Sequence, residues 1–257
     1  MDLKNKIILI TGATSGIGRA LAYQAGGLGA TLILLARREE RLESLKQELV
    51  EKFGVKIALI KADIRDRELI KTSLNNLPND FKNINILINN AGLGLTSDLI
   101  QKGELDNWDI MIDTNIKGLL NMINFILPGM LERKSGHIVN IGSVAGHDCY
   151  PGGNVYCATK HAVRALSKSL RLDLLGTGLR VTDIAPGAVH TEFSEVRWGG
   201  DKKKSDDFYA QFNPLKPEDI ADNIIYVLTR PPHVNIAEIV IYPTDQTSPN
   251  HLYKSKI

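Results

Sequence analysis

The sequence predicts an α/β fold, a doubly wound parallel sheet of about seven strands flanked by helices. Short runs of β-branched residues and leucine alternate along the chain with longer segments of helical periodicity. Apolar runs of this kind are typical of parallel strands that are buried on both faces, and their alternation with helices implies right-handed crossovers. No internal repeat or low-complexity linker interrupts the pattern, so we predict a single domain over residues 1–257.

The individual elements follow from this alternation. Strands are predicted at Lys6–Ile10, Thr31–Ala36, Lys56–Lys61, Asn85–Ile88, His137–Ile141, Arg180–Ile184 and Glu238–Tyr242. Helices are predicted at Gly16–Leu28, Arg38–Phe53, Asp66–Asn76, Glu104–Leu131, Val155–Gly176 and Pro217–Thr229. Residues 188–214 show neither pattern, and structureless connections that long are usually lids or binding loops. We therefore predict a substrate lid there, with a solvated surface excursion as the alternative.

Composition narrows the class of protein. The 257 residues are 43% hydrophobic and 23% charged, which is typical of a soluble globular domain. A net charge of +2 gives no electrostatic reason to expect nucleic acid or a membrane surface as a partner, and the apolar runs are too short to span a bilayer. Cys149 and Cys157 have no metal-ligand spacing around them, so no metal is predicted. A cytoplasmic location is the default expectation.

A glycine-rich turn follows the first predicted strand and opens directly into a helix. Glycines in this position let backbone N–H groups and the helix N-terminus approach a pyrophosphate. The spacing is G-x-x-x-G-x-G, whereas the common dinucleotide fingerprint is G-x-G-x-x-G, and some strand-to-helix turns need glycine for geometry alone. We predict cofactor contacts from Gly12, Thr14, Ser15, Gly16, Ile17 and Gly18.

The end of the second strand indicates which dinucleotide binds. An NAD site usually carries an acidic residue there for the ribose 2′-hydroxyl, whereas this chain has Arg37 and Arg38. Two guanidiniums with no carboxylate nearby favour the 2′-phosphate of NADP(H); the alternative is that both are simply solvated. Asp63, at the end of the third strand, is predicted either to bind the adenine amino edge or to cap the next helix.

Tyr156 and Lys160 are four residues apart on a predicted helix and therefore share a face. A nearby ammonium group and an oxidised nicotinamide both favour the phenolate of a tyrosine, and such a tyrosine can exchange a proton with an alcohol or a ketone. The spacing alone is common on ordinary helices. Ser143, however, follows the fifth strand, at the sheet edge where reactive groups gather. Without a histidine at short spacing, we predict that Ser143 positions the substrate carbonyl rather than attacking it.

These residues together resemble the short-chain dehydrogenase/reductase family over essentially the full chain. The motifs that carry the resemblance are Thr11–Gly18, Asn89-Asn90-Ala91-Gly92, Asn115, Ser143, Tyr156-x-x-x-Lys160 and Pro186-Gly187. The resemblance implies a Rossmann-type fold, an NADP(H)-dependent oxidoreductase, and a catalytic tetrad of Asn115, Ser143, Tyr156 and Lys160. Asn115 would hold a water that relays protons to Lys160. Further implied cofactor contacts are Asp63, Ile64, Asn90, Ala91, Gly92, Tyr156, Lys160, Pro186, Gly187, Val189 and Thr191.

Within that family, the C-terminal half resembles the NADP-dependent 3-hydroxy acid dehydrogenases that act on serine and allo-threonine. Residues 142–148, 150–152, 191–197 and 241–246 carry this narrower resemblance. A hydroxy acid needs a cation for its carboxylate, so Arg197 joins Ser143 and Tyr156 as a predicted substrate-binding residue; the alternative is an exposed loop arginine. The resemblance also implies a homotetramer. Along the Tyr156 helix Ala158, Ala162 and Ala165 would permit close helix packing, or they would pack on the protein's own sheet.

Two other functions fit the same residues. A 3-oxoacyl-thioester reductase would use the same tetrad on a carrier-bound substrate, with a basic docking surface and a wider channel in place of an Arg197 clamp. A non-catalytic NADPH sensor is the second alternative. Such proteins tend to lose one of the catalytic side chains, and none is missing here.

Overall fold

Seven parallel strands form one sheet, as the sequence predicts. The structure, a computed structural model, describes residues 3–254. The strands are β1 (Ile7–Thr11), β2 (Thr31–Ala36), β3 (Ile57–Lys61), β4 (Ile86–Asn89), β5 (Gly136–Ile141), β6 (Leu179–Pro186) and β7 (Glu238–Ile241). Their order in the sheet is β3-β2-β1-β4-β5-β6-β7. Chain order reverses between β1 and β4, which is where open α/β sheets bind ligands.

Helices cover both faces of this sheet. They are α1 (Gly16–Gly27), α2 (Glu39–Phe53), α3 (Arg67–Asn75), α4 (Leu105–Ile112), α5 (Leu119–Glu132), α6 (Asn154–Asp173), α7 (Glu192–Arg197), α8 (Lys202–Tyr209) and α9 (Pro217–Leu228). One apolar core packs α1, α2 and α9 on the sheet, and the other packs α3, α5 and α6. Alternate residues of β2 enter the two cores, Leu32 and Leu34 on one side and Ile33 and Leu35 on the other. Within residues 3–254, no helix is long and apolar enough to cross a membrane.

The predicted helix Glu104–Leu131 is three pieces rather than one. A π-helical turn, Asp113–Gly118, separates α4 from α5. Such a turn inserts an extra residue into the helical ladder, and π turns are frequent at functional sites. Asn115 lies within it, 2% exposed. The apolar periodicity continues across the break, which is why the sequence pattern predicted a single helix.

Residues 188–214 are not structureless, which corrects the prediction for that segment. They contain α7 and α8, and the two helices are joined through Gly199 and Gly200. Thr191 caps α7 by accepting a hydrogen bond from the Phe193 N–H at 3.2 Å. Asp201 caps α8 in the same way through the Lys204 N–H at 2.9 Å. These capping residues were the available sequence signal, since both helices are too short to show a clear apolar stripe.

A short C-terminal hairpin was also missed. It consists of β8 (Gln246–Ser248) and β9 (His251–Leu252), which pair antiparallel. Gln246 is buried, and its Oε1 accepts a hydrogen bond from the Ala188 N–H at 2.8 Å. The hairpin thereby ties the end of the chain to the start of the lid and closes one side of the cleft described below.

Candidate active site

A cleft of about 670 Å³ lies outside the carboxyl ends of the strands. It extends from Arg37 and Arg38 at one end to Tyr156 and Arg197 at the other. The predicted site residues that line it are Gly12, Thr14, Ser15, Gly16, Ile17, Arg37, Arg38, Asp63, Ile64, Asn90, Ala91, Gly92, Ser143, Tyr156, Lys160, Pro186, Gly187, Val189, Thr191 and Arg197. Gly18 and Asn115 lie behind this lining. The fold thus brings both ends of the predicted site into one continuous space.

The glycines of the phosphate loop serve distinct purposes. Gly12 has a φ of +64°, a conformation that glycine adopts without strain. Gly18 is needed for packing, because a Cβ there would lie 2.4 Å from the Gly12 carbonyl oxygen. Ser15 precedes α1, and its side chain makes no capping hydrogen bond within the described part of the chain. The hydroxyl and the first N–H groups of α1 therefore face the cleft as anion-binding donors.

Asn90 and Thr11 fasten this loop to the end of β4. The Thr11 hydroxyl accepts hydrogen bonds from the N–H groups of Asn90 and Ala91 at 3.0 and 2.9 Å. In return, the Asn90 amide donates to the carbonyls of Thr11 and Gly12 at 2.9 and 3.2 Å. The Asn-Asn-Ala-Gly motif therefore fixes the floor of the cleft at the point where the strand order reverses.

The arginine end of the cleft differs from the prediction in one respect. We expected no carboxylate there, but two lie against the guanidiniums. Arg37 is 3.8 Å from Asp63, and Arg38 is 3.3 Å from Glu192 of α7. Arg41 binds the same Glu192 at 2.7 Å. Both acids come from distant parts of the sequence, which is why the local pattern around Arg37 did not reveal them.

Asp63 does not cap the following helix, so that alternative is wrong. Asp66 caps α3 by accepting from the Leu69 N–H at 2.9 Å. Asp63 instead accepts two hydrogen bonds from the Arg65 side chain, at 3.1 and 2.8 Å. Burial raises the pKa of Asp63, but the bonds from Arg65 and the charge of Arg37 outweigh it and hold the pKa below its ordinary value. Asp63 is therefore a carboxylate at neutral pH in the wall of the cleft.

Tyr156 lies near the start of α6, among groups that shift the pKa of its phenol in opposite directions. Burial raises the pKa of its phenol above the ordinary value, while the charge of Arg197 and the neighbouring Ser143 hydroxyl act in the opposite direction. The Lys160 ammonium is 5.9 Å from the centre of the ring. In the protein as described, the phenol is therefore protonated at neutral pH. The expected lowering of the tyrosine pKa combined Lys160 with the positive charge of an oxidised nicotinamide, and it stays a prediction for the complex with the cofactor.

Lys160 is buried beneath the tyrosine, 7% exposed. Its ammonium donates a hydrogen bond to the Ile141 carbonyl at 2.8 Å. Burial lowers the pKa of Lys160 to about 8, and the carboxylate of Asp183 on β6 opposes that shift. Burial likewise raises the pKa of Asp183 to about 6, which Lys160 opposes. Asp183 was not predicted as a site residue, because a lone acid in a strand carries no local signature.

Ser143 and Asn115 complete the predicted tetrad in different ways. The Ser143 hydroxyl accepts from the Ala145 N–H at 3.1 Å, which fixes it at the end of β5 beside Tyr156. Asn115 is engaged with the loop after β4: its Oδ1 accepts from the Leu93 N–H at 2.9 Å, and its amide donates to the Leu93 carbonyl at 2.8 Å. The Asn115 Oδ1 and the Lys160 ammonium lie on the same side of Gly92, 3.2 and 3.5 Å from where a Cβ on that residue would be.

Arg197 reaches from α7 to Tyr156. Its guanidinium lies 4.8 Å from the ring centres of both Tyr156 and Phe193. The Nε of Arg197 is buried and has no hydrogen-bond partner among the described residues. Tyr150, which lines the same pocket, is half-buried, and the charge of Arg197 partly offsets the rise that burial causes in the pKa of its phenol. Neither Tyr150 nor Phe193 was predicted as a site residue, although both lie in stretches that carried the narrower resemblance.

Comparison with known proteins now identifies the family. The short chain dehydrogenase family matches residues 6–200 of the chain. The chain belongs to the short-chain dehydrogenase family. It is thus an oxidoreductase, and the fold predicted by resemblance is confirmed by similarity to solved structures of the family. One of these, the closed form of serine dehydrogenase complexed with NADP⁺, has a TM-score of 0.90 at 47% identity and covers 94% of this chain and 96% of that chain.

Curated relatives agree on the type of chemistry and differ in substrate. A sulfoacetaldehyde reductase from Chromohalobacter salexigens is 47% identical over 241 residues, 93% of this chain and 95% of that protein. The NADP-dependent 3-hydroxy acid dehydrogenase of Escherichia coli K12 is 46% identical over 242 residues, 94% of this chain and 96% of that protein. The prediction of NADP(H) from the arginine pair is confirmed by the NADP-dependent relative and by the NADP⁺ complex of serine dehydrogenase. The substrate, however, does not follow from them.

Proposed function

We propose that this short-chain dehydrogenase uses NADP(H) to interconvert a small 3-hydroxy acid, such as L-serine or L-allo-threonine, and the corresponding 3-oxo acid. The observation that carries the proposal is the position of Arg197, with its guanidinium 4.8 Å from the Tyr156 ring. A carbonyl oxygen at the Tyr156 hydroxyl would leave an acid group two carbons along the substrate beside that guanidinium.

The surroundings of Arg197 support a role in anion binding. A guanidinium binds a carboxylate through paired hydrogen bonds, and a buried N–H without a partner is costly unless a ligand satisfies it. Among the described residues, the Arg197 Nε has no hydrogen-bond partner, and an acid group would provide one. The adjacent aromatic rings of Tyr156 and Phe193 each lie 4.8 Å from the guanidinium and hold it beside the catalytic end of the cleft. An exposed loop arginine would have neither feature.

The cleft has the features that NADP(H) requires. The glycine loop and the N-terminus of α1 suit a pyrophosphate, and Arg37 and Arg38 suit a 2′-phosphate. When bound, NADP(H) supplies or accepts the hydride at the reacting carbon. Ser143 then holds the carbonyl oxygen, and Tyr156 donates its phenolic proton to that oxygen during reduction. In the reverse direction Tyr156 takes the hydroxyl proton, and the Lys160 ammonium and Arg197 favour the phenolate that this requires.

A second substrate class shares the geometry. In sulfoacetaldehyde, one methylene group separates the sulfonate from the carbonyl carbon. One methylene likewise separates the carboxylate from the carbonyl carbon of a simple 3-oxo acid. A sulfonate accepts paired hydrogen bonds from a guanidinium as a carboxylate does. The 47% identity to a sulfoacetaldehyde reductase makes this the second candidate. Both candidates rest on Arg197, and they differ in whether the acid group is planar or tetrahedral.

Steady-state kinetics with a panel of substrates tests these assignments. NADP⁺ reduction is measured with L-serine, L-allo-threonine and 3-hydroxyisobutyrate, and NADPH oxidation with sulfoacetaldehyde, an acyl thioester and a neutral ketone. Turnover of the hydroxy acids supports the first candidate, and turnover of sulfoacetaldehyde alone moves the assignment to the second. Turnover of acyl thioesters alone would favour the thioester reductase, and tight NADPH binding without any turnover would favour the sensor.

Substitution of Arg197 tests the clamp. We expect Arg197→Met to lower kcat/KM for the acidic substrate about 10- to 100-fold, because a charge-assisted pair is lost. Turnover of a neutral ketone should change little. Lys203→Met, which removes an exposed cation from α8, is the matched control and should affect neither substrate. Equal losses for acidic and neutral substrates would show that Arg197 only shapes the lid.

A further inference from the structure

One carboxylate of the lid reaches across to the arginines of the cofactor pocket. Glu192, the first residue of α7, accepts from both terminal nitrogens of Arg38 at 3.3 Å. It also accepts from Arg41 at 2.7 and 3.0 Å. Burial raises the pKa of Glu192, but Arg41 and Arg38 together hold the pKa below its ordinary value. The side chain is therefore a carboxylate at neutral pH, bound to two guanidiniums.

The position of Glu192 is fixed by its neighbours. Thr191 packs against the phosphate loop so closely that a Cβ on Gly16 would lie 3.1 Å from the threonine side chain. On the other side, the Phe193 ring is 5.5 Å from the Tyr156 ring. The carboxylate is thus held at the arginine end of the cleft by a helix that also touches the phosphate loop and the catalytic tyrosine.

We propose that Glu192 determines how tightly the enzyme binds the 2′-phosphate of its cofactor, by occupying the guanidiniums that the phosphate would use. The inference rests on the proposed use of NADP(H). N–H groups that hold Glu192 are withdrawn from the phosphate, and two anions at one arginine repel each other. The carboxylate weakens binding of NADP(H) in particular, because NAD(H) carries a 2′-hydroxyl and does not need Arg38.

Arg37 is the guanidinium that remains for a phosphate in the presence of Glu192. Its side chain is 65% exposed, and its nearest carboxylate, Asp63, is 3.8 Å away. Asp63 is already engaged by Arg65 at 2.8 Å. Arg37 therefore gives the 2′-phosphate a first contact, while Arg38 is shared between the phosphate and Glu192.

Ligand binding to purified wild type and Glu192→Gln tests the inference without any turnover. The probes are 2′,5′-ADP against 5′-AMP by calorimetry, and NADPH against NADH by fluorescence. We expect the variant to bind 2′,5′-ADP and NADPH about 3- to 10-fold more tightly, as for the loss of one or two surface charge interactions. Affinities for 5′-AMP and NADH should stay within about 2-fold, and the difference between wild type and variant should shrink at high salt.

Glu195→Gln is the matched control, because it makes the same change of charge on the same helix and should leave all four affinities unchanged. Unchanged affinity of Glu192→Gln for 2′,5′-ADP would overturn the inference. So would a parallel loss for all four ligands, which would mean that Glu192 merely holds the lid in place. A wild type that bound 2′,5′-ADP no better than 5′-AMP would instead overturn the proposed NADP(H) preference.

Discussion

The phenol of Tyr156 stays protonated at neutral pH, yet it can donate its proton to a carbonyl oxygen bound beside it. Burial raises its pKa, and Arg197 and Ser143 lower it. A protonated phenol next to a carbonyl oxygen is the state needed for ketone reduction. The cations around the ring become more important in the direction of alcohol oxidation, where a phenolate has to form.

Replacing Tyr156 with phenylalanine removes this proton and leaves the ring. We expect turnover to fall by about 10²- to 10⁴-fold, the usual contribution of general acid–base catalysis. Affinity for NADPH, measured by fluorescence titration, should remain within a few-fold, because the ring still packs on Phe193. Activity above a few per cent of wild type would mean that another group moves the proton.

Lys160 gives a prediction for stability against pH. Its pKa in the folded protein is about 8, below the ordinary value of 10.5. Between these values the unfolded chain binds more protons than the folded chain, so the wild type gains stability as the pH rises through this window. The buried charge is fully unfavourable below pH 8, and the effect is relieved by about pH 10.5. A variant without the amine lacks this gain.

The measurement is urea unfolding of wild type and Lys160→Met at pH 7 and pH 10. We expect the stability of the wild type relative to the variant to rise by about 3 kcal/mol over that interval. Asp183, with a pKa of about 6, is ionised in the wild type over this interval. In the variant its pKa is higher, because the opposing charge of Lys160 is gone, and the resulting loss of stability as the pH rises adds to the expected difference. Lys168→Met, at an exposed position on the same helix, is the control. Parallel pH curves for wild type and Lys160→Met would contradict the prediction.

Site residues were predictable where a short pattern carries the chemistry. The glycine loop, the arginine pair and the Tyr156–Lys160 spacing each lie within a few consecutive residues, and the structure places them along one cleft. Glu192 was not predictable as a partner of Arg38, because the two are 154 positions apart. Asp183 affects Lys160 through its charge. The two residues become neighbours only when β6, which carries Asp183, pairs with β5.

At the scale of elements, α7 and α8, the two helices of the predicted lid, are joined by hydrogen bonds of their own. Tyr209 of α8 is 5% exposed, and its hydroxyl donates to the Val189 carbonyl at 2.7 Å. The same oxygen is 2.7 Å from the Ser194 hydroxyl of α7. Both ends of the lid are joined where the Leu215 N–H donates to the Ala188 carbonyl at 3.0 Å. Tyr209 is therefore the link between the two lid helices.

Tyr209→Phe should loosen the lid without unfolding the domain. Loss of the hydroxyl leaves the Val189 carbonyl and the Ser194 hydroxyl short of a partner, at a cost of about 1–3 kcal/mol. We expect faster hydrogen exchange across residues 189–209 and a higher KM for the acidic substrate, because Arg197 lies on the loosened helix. Tyr226→Phe, on the exposed side of α9, is the control. Unchanged exchange in the lid would show that the Tyr209 hydroxyl does not hold it.

Element prediction succeeded where periodicity and burial agree. The leucines at 42, 45 and 49 are all buried, and the predicted helix Arg38–Phe53 differs from α2 by one residue. Element prediction failed between residues 104 and 131, because the π turn interrupts the α-helical hydrogen bonds and leaves the apolar pattern unchanged. It also failed in the lid, where α7 has only six residues and is stabilised by tertiary contacts rather than by propensity.

At the scale of the whole molecule, the outer face of α6 is the candidate contact surface for the predicted homotetramer. Ala158 and Ala165 are exposed in the single chain, so they do not pack on the protein's own sheet as the alternative supposed. Near the end of the same helix Leu172 is 76% exposed, and Leu175 just beyond it is 86% exposed. Small residues permit close helix approach, and exposed leucines favour burial against a second surface. The tetramer prediction places a second copy of the chain against this face of α6.

Light scattering after size-exclusion chromatography tests that prediction. We expect the wild type to have four times the chain mass of 28.3 kDa. Ala165→Arg should lower the measured mass, because it places a bulky charge where two copies of α6 would meet. The position points away from the core, so the far-ultraviolet dichroism should be unchanged. Gln47→Arg, at an exposed site on α2, is the control and should keep the wild-type mass. A wild type of 28.3 kDa would refute the tetramer, and an unchanged mass for Ala165→Arg would place the interface on another face.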